Sequence, residues 1–346
     1  VPEPAEPILS VQGLTKRFDV SRPWLLRVLA GEGRRIVHAV EDVSFAIRRG
    51  TTFAIVGESG CGKSTIARCI AGILPPSAGA IAFMGFDMSK ADTGRAARLH
   101  RRHLQMIFQD PYASLNPRWR VGRIIAEPIV THRILSGPAR IETRVGELLR
   151  LVGMSPADAR KYPHQFSGGQ RQRISIARAL ASEPDFVVCD EPTSALDVSV
   201  QAQILNLMRE LQRRLGLTYL LISHNLAVVA HMADRIGVMY LGRLVEWGEA
   251  ATVFERPLHP YTRLLLDAVP DIEMSGRRGQ PVKGEVPNPL EPPAGCAFHP
   301  RCPLADARCR REQPRPIEVG ATSVACHAVE EGRLASFPRP AAGGAC

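Results

Sequence analysis

Residues Gly57 to Thr65 read GESGCGKST: a glycine, four free positions, a second glycine, a lysine and two hydroxyl residues. This is the spacing of a phosphate-binding loop, which requires a strand before it and a helix after it. Both are present. Thr52 to Val56 (TFAIV) is a short β-prone run, and Ile66 to Ala71 (IARCIA) reads as helix. Gly57, Gly60 and Gly62 let the backbone curl until successive N–H groups face phosphate oxygens, and the helix start adds roughly half a positive charge. Glu58, Ser59, Cys61 and Thr65 complete the loop, Lys63 is placed for the β- and γ-phosphates, and Ser64 for Mg2+. The stretch implies a bound nucleoside triphosphate.

Working outward, Phe186 to Cys189 is a short apolar run ending in Asp190 and Glu191. Such a run suits a parallel strand buried on both faces, and ligands of parallel sheets sit at the strands' C-terminal ends. Asp190 is thus placed to hold Mg2+, and Glu191 to act as a general base on water. A further run, Leu217 to Ser223, ends at His224, which the same geometry brings near the γ-phosphate or the base.

The rest of the chain supplies the frame. Strand signals fall near Ile8 to Phe18, Val40 to Ile47, Ala80 to Gly85 and Leu104 to Gln109, and the pattern from Val121 to Leu180 is mainly helical. Residues from about Asp19 to Arg35, with Pro23, Gly31 and Gly33, read as an inserted loop or hairpin of unassigned role.

Composition narrows the class. The 346 residues are 45% hydrophobic and 23% charged, ordinary for a globular chain with a sizeable core. No apolar run approaches the ~18–20 residues of a membrane span, and the start, VPEPAEPILSV, lacks a basic and apolar signal pattern, so a cytosolic location is expected. The net charge is +10, but the arginines are scattered without aromatic interleaving, and no nucleic-acid partner is expected. Of 8 cysteines, Cys61, Cys69, Cys189 and Cys346 are dispersed, while Cys296, Cys302, Cys309 and Cys326 crowd into one stretch. In a reducing compartment that crowding favours metal over disulfides.

Ser167-Gly168-Gly169-Gln170, followed by RQRISIARAL, resembles the signature of ATP-binding cassette (ABC) proteins. The order of phosphate loop, Gln109, signature, Asp190-Glu191, SALD at Ser194 to Asp197 and His224 carries the resemblance over about Ile8 to Glu255. It implies an α/β P-loop NTPase (RecA-like) core, an antiparallel β subdomain and a helical signature subdomain at about 110–180, together spanning 1–260. It also implies that two cassettes close head to tail. Lys63, Ser64, Gln109, Asp190, Glu191 and His224 then serve one ATP, with Mg2+ on Ser64, Gln109 and Asp190. Ser167, Gly168, Gly169, Gln170 and Asp197 act in trans. Phe18 matches the adenine-stacking aromatic, with Trp24 a weaker candidate. Phe166 stands where many cassettes have leucine.

FQDPYASLNPRWRVGRIIAEP, YPHQFSGGQRQRISIARAL and HPYTRLLLDAVP resemble the bacterial oligopeptide/dipeptide import ATPases. The resemblance implies a peripheral subunit at the cytoplasmic face of the inner membrane. Its partners would be two transmembrane permeases and a second ATPase, a non-identical homologue, with an external binding protein acting indirectly. Nickel, glutathione or opine-like cargo is the alternative, and a soluble cassette ATPase acting on nucleic acid or ribosomes the more distant one. The C-terminal extension, 261–346, carries Cys296, Cys302, Cys309 and Cys326 as a motif resembling the family's cysteine site. A [4Fe–4S] cluster is expected there, with Zn2+ or free or disulfide-linked thiols as alternatives, and His299 and His327 as substitute ligands.

Overall fold

The computed structural model describes residues 6–29, 33–88, 100–268 and 284–336. Gly31, Val269, Pro270 and Cys346 lie outside the described residues. In chain order the strands are β1 (Leu9–Asp19), β2 (Ile36–Ile47), β3 (Thr52–Val56), β4 (Ala78–Phe83), β5 (Phe86–Asp87), β6 (Leu104–Ile107), β7 (Phe186–Asp190), β8 (Thr218–Ile222), β9 (Arg235–Tyr240), β10 (Arg243–Glu249), β11 (Ile317–Val319) and β12 (Thr322–Val324). They form two sheets, β2-β1-β4-β5 and β11-β12-β10-β9-β3-β8-β7-β6.

The first sheet is antiparallel. In the second, β9, β3, β8, β7 and β6 run parallel, and β10, β12 and β11 add an antiparallel flank. Every residue of β3, β7 and β8 is buried. Period-two alternation sorts their side chains between two cores. Phe53, Ile55, Phe186, Val188, Leu220 and Ile222 face the antiparallel sheet and the helix Lys63–Ile70, while Ala54, Val56, Val187, Cys189 and Leu221 face the helices on the other side. Phe45 of β2 stacks on Phe53 at 4.9 Å between centroids, and Phe83 of β4 meets Phe186 edge-on at 5.9 Å, so aromatic contacts join the sheets.

Helices Val121–Thr131, Pro138–Leu151 and Gly168–Leu180 occupy the stretch read as helical. The insertion differs from the loop or hairpin expected: it contains the helix Trp24–Leu29, and Val20 N–H still donates to Arg35 O at 2.9 Å. The strands close the base and a helical turn fills the excursion, which Pro23 starts at a position where its missing N–H costs nothing.

The C-terminal segment is packed into the cassette. β12 pairs with β10, Glu246↔Val324 to Gly248↔Thr322, and Tyr261 and Phe298 lie in the main core. Buried Glu246 accepts the N–H groups of Leu258 and His259 at 2.8 and 2.9 Å, and burial raises its pKa. His259 starts the helix Pro260–Asp267, its Nδ1 accepting Tyr261 N–H at 3.0 Å.

Burial lowers the His259 pKa from 6.5 to about 3, which keeps the folded imidazole neutral. A depressed value means that its stabilising contribution is full above the unfolded pKa and is lost as pH falls towards the folded one. Below about pH 6 that loss should approach about 1.4 kcal/mol per pH unit. Urea unfolding from pH 7 to 4.5 is expected to give a shallower slope for His259→Asn than for the native chain; parallel slopes would remove His259 as the source.

Candidate functional site

The phosphate loop is wedged between the two sheets. A Cβ at Gly57 would lie 2.2 Å from Met239 O in β9, and one at Gly62, where φ is +105°, 2.1 Å from Ala39 O in β2. Only glycine fits either position. Gly60, at φ +82°, has open space around it. Lys63, 5% exposed, donates from Nζ to Gly57 O at 2.7 Å and Glu58 O at 2.9 Å, which holds the ammonium inside the curl. Cys61 is buried, and burial raises its thiol pKa. Ser64 and Thr65 follow in the first turn of the helix Lys63–Ile70.

At the ends of β7 and β8, the expected acids and histidine come together. Ser64 Oγ donates to Asp190 Oδ1 at 2.9 Å. Asp190 is 2% exposed; burial raises its pKa, opposed by the Ser64 hydrogen bond and the charges of Arg68 and Lys63. A buried carboxylate beside a hydroxyl is a hard oxygen pair suited to Mg2+, whose charge would offset the desolvation. Glu191 has φ +45°, unusual for a residue with a side chain, and is held by its N–H donating to Ile222 O at 3.0 Å. Its Oε2 accepts Gln109 Nε2 at 2.9 Å and its Oε1 lies 3.1 Å from His224 Nδ1. Of the three expected Mg2+ ligands, Ser64 and Asp190 are thus in direct contact and Gln109 is tied to the neighbouring acid.

Of the residues expected to act in trans, Ser167, Gln170 and Asp197 are exposed and Gly168 is half-buried. Ser167 caps the helix Gly168–Leu180: its Oγ accepts Gln170 N–H at 3.4 Å and Gln170 Oε1 accepts Ser167 N–H at 3.0 Å. This is a capping box whose serine–glutamine spacing is legible in the sequence. Gly169 is buried, and a Cβ there would sit 2.4 Å from Val200 Cγ1. Asp197 is exposed and caps the helix Val198–Leu215 through Val200 N–H at 2.9 Å. Phe18, half-buried in β1, lies under Lys16 Nζ at 5.1 Å from the ring centroid, whereas Trp24 is 66% exposed.

Two residues at the loop were not singled out from the sequence as site residues. Tyr261 Oη accepts Glu58 N–H at 3.0 Å, and Arg301 grips the Glu58 carboxylate at 2.7 and 2.9 Å. They lie 203 and 243 residues away along the chain, so no local spacing announces them.

Cys296, Cys302, Cys309 and Cys326 are free thiols close enough for charge on one to act on others. Burial, then their neighbours' charges, pushes Cys296 up to about 12 and Cys302 to about 11. Four soft sulfur donors suit a metal centre. Yet among the described residues no group of three or more His, Cys, Asp or Glu is arranged to hold a metal ion, so the expected cluster or zinc geometry is not formed. His327 is not poised as a substitute ligand: its Nε2 is 3.0 Å from Glu312 O and its Nδ1 3.4 Å from Glu330. His299 Nδ1 is 3.0 Å from Cys296 O.

Strand, glycine loop and helix at the C-terminal edge of a parallel sheet, with acids at the end of β7 beyond the neighbouring β8, define a P-loop NTPase of the cassette type. Solved cassettes agree. The dimeric post-hydrolysis state of the ATP-binding cassette MJ0796 bound to ADP and Pi superposes with a TM-score of 0.61 at 25% identity, covering 70% of this chain and 98% of that one. CbiO1 from Clostridium perfringens, part of the ABC transporter complex cbiONQ, gives 0.59 at 30%, covering 72% and 91%. Residues 40–194 match the ABC transporter family and 245–309 the oligopeptide/dipeptide transporter C-terminal region. The di/tripeptide transport ATP-binding protein DppF of Pseudomonas aeruginosa is 48% identical over 94% of this chain and 99% of its own length. The oligopeptide transport ATP-binding protein AppF of Bacillus subtilis is 47% identical over 93% and 97%. The chain belongs to the ABC transporter ATP-binding proteins of the oligopeptide/dipeptide family.

The glycine geometry sets a ranking. Gly60→Ala should lose about 1–2 kcal/mol through its backbone conformation alone, whereas Gly62→Ala adds a collision with fixed backbone and should lose more stability and at least tenfold in Mg-ATP affinity. Urea unfolding and nucleotide titration of both variants check this; equal losses would discount the Ala39 contact.

Proposed function

We propose that this chain is the ATP-hydrolysing subunit of a bacterial inner-membrane importer of di- or oligopeptides. It would act at the cytoplasmic face with two transmembrane permeases and a second, non-identical cassette, an external binding protein supplying cargo. The single observation that carries the ATPase part is Glu191 held between Gln109 and His224, one residue beyond the Asp190–Ser64 contact. The names of DppF and AppF support peptide as cargo. Among the described residues no helix is long and apolar enough to cross a membrane, consistent with a subunit that borrows its pore from others.

In this reading the N–H groups of Gly57 to Thr65 and Lys63 Nζ bind the triphosphate, and Ser64 with Asp190, joined by Gln109, holds Mg2+. When bound, the ion neutralises charge on the β- and γ-oxygens. Phe18 stacks on adenine. Glu191 takes a proton from the attacking water as its oxygen bonds to the γ-phosphorus and the bridging oxygen leaves with ADP. His224 orients the carboxylate from Oε1, and Gln109 from Oε2, which also connects that carboxylate to the segment after β6. Ser167, Gly168, Gly169, Gln170 and Asp197 complete the partner cassette's site. Functional division at about residue 260 leaves 261–346 as an extension. For its cysteines we propose a [4Fe–4S] centre, with Zn2+ as alternative, because the four thiols lie near enough to act on one another's charge; a bound metal would have to draw them in to coordination distances.

In the assembled transporter Glu191→Gln should lower ATP turnover by about 10²-fold or more while Mg-ATP binding stays within about threefold; unchanged turnover would sink the base assignment. For the cysteines, anaerobic purification with iron, sulfide and zinc analysis is expected to find iron and sulfide with visible absorption. Zinc alone would select the alternative, and neither metal would remove both.

A further inference from the structure

Glu58 is the second residue of the phosphate loop, and both its backbone and its side chain are held from the C-terminal segment. Its N–H donates to Tyr261 Oη, and its two carboxylate oxygens receive Arg301 Nη1 and Nη2 at 2.7 and 2.9 Å. A bidentate guanidinium fixes direction as well as charge, which a single contact does not.

Arg301 is itself rigidly seated. Its side chain is 4% exposed, Nη1 also donates to Tyr240 Oη at 3.4 Å, and the guanidinium lies 5.7 Å from the Tyr240 centroid and 6.0 Å from that of Phe298. Tyr240, Tyr261 and Phe298 pack on one another at 4.8, 5.1 and 5.3 Å and are fully buried. Arg301 ends the short turn His299–Arg301, between Cys296 and Cys302. The path from cysteine segment to phosphate loop is therefore one ion pair long.

The chemistry of the loop gives that pair a task. An unpaired carboxylate beside a site for a triphosphate repels the ligand, and a second loop residue free to rotate disorders the N–H groups after it. We propose that Arg301, assisted by Tyr261, is a positioning residue for ATP. It neutralises Glu58 and holds the phosphate loop in its binding conformation, so the arrangement of the cysteine segment sets nucleotide affinity. The proposal rests on the reading of Gly57 to Thr65 as the ATP site.

Mg-ATP titration of the full-length chain separates the two. If the native chain does not bind, or Lys63→Ala binds as tightly as native, the ATP-site reading itself fails. If those controls behave, Arg301→Ala is expected to raise Kd on the order of tenfold, within the range of coupled sites, and Arg301→Lys to raise it less. Adding Glu58→Gln to Arg301→Ala should recover most of the loss, because it removes the uncompensated charge and keeps the side-chain shape. A merely structural role for Arg301 would give no such rescue. Native affinity in Arg301→Ala, or a double variant as weak as or weaker than Arg301→Ala, overturns the proposal.

Discussion

The structure depends on a steric condition at two glycines. The carbonyls of Met239 and Ala39 press on Gly57 and Gly62 from different sheets, leaving no room for a Cβ at either. The loop is thus the seam along which the antiparallel and parallel sheets meet. Neighbouring backbone bonds close it: Gly242 N–H donates to Cys61 O and Glu41 N–H to Gly242 O, both at 2.9 Å. Such a loop cannot relax independently of the sheets, which suits a site whose donors must be aimed before a ligand arrives.

The same economy of motion governs the acids. β7 and β8 are buried on both faces, so their ends are fixed by two cores at once. Asp190 is the last strand residue and stays buried, whereas Glu191 is turned by its positive φ towards Gln109 and His224. One step along the backbone therefore separates a desolvated carboxylate, fit for a cation, from one with partners on both oxygens, fit to be oriented. The local strain of about 1–3 kcal/mol is borne by the surrounding strands.

Much of this was legible because it is local. Short apolar runs mark β3, β7 and β8, the loop announces its own flanks, and the residues at strand ends fall where parallel-sheet geometry puts them. What the sequence hid was assembly across long separations. Thr322 to Val324 is too short to read as a strand until β10 offers it a partner, and the Glu58–Arg301 pair joins positions with no shared pattern. The helix at Trp24 was masked by Pro23 and two glycines, which equally signal a loop. The Ser167–Gln170 capping box is readable by spacing, yet the same four residues also form the stretch that resembles the cassette signature. Cysteine crowding conveyed proximity correctly, but thiols brought near one another need not take up coordination distances.

On the proposed reading, the surface position of the signature follows from how its helix begins. Ser167 and Gln170 satisfy each other's N–H groups in the capping box, and Gly169 is pressed against Val200 of the helix that Asp197 caps. Two helix starts are thereby locked into one exposed patch, with Val198 83% exposed beside them. On that reading their positive ends would meet an anion held by a second cassette, while the loop at Gly57 would hold the phosphates of this chain's own site. A triphosphate sandwiched between two cassettes satisfies both surfaces at once. ATP would then act as the adhesive between subunits, and its cleavage would break the covalent link between the phosphates that bridge them.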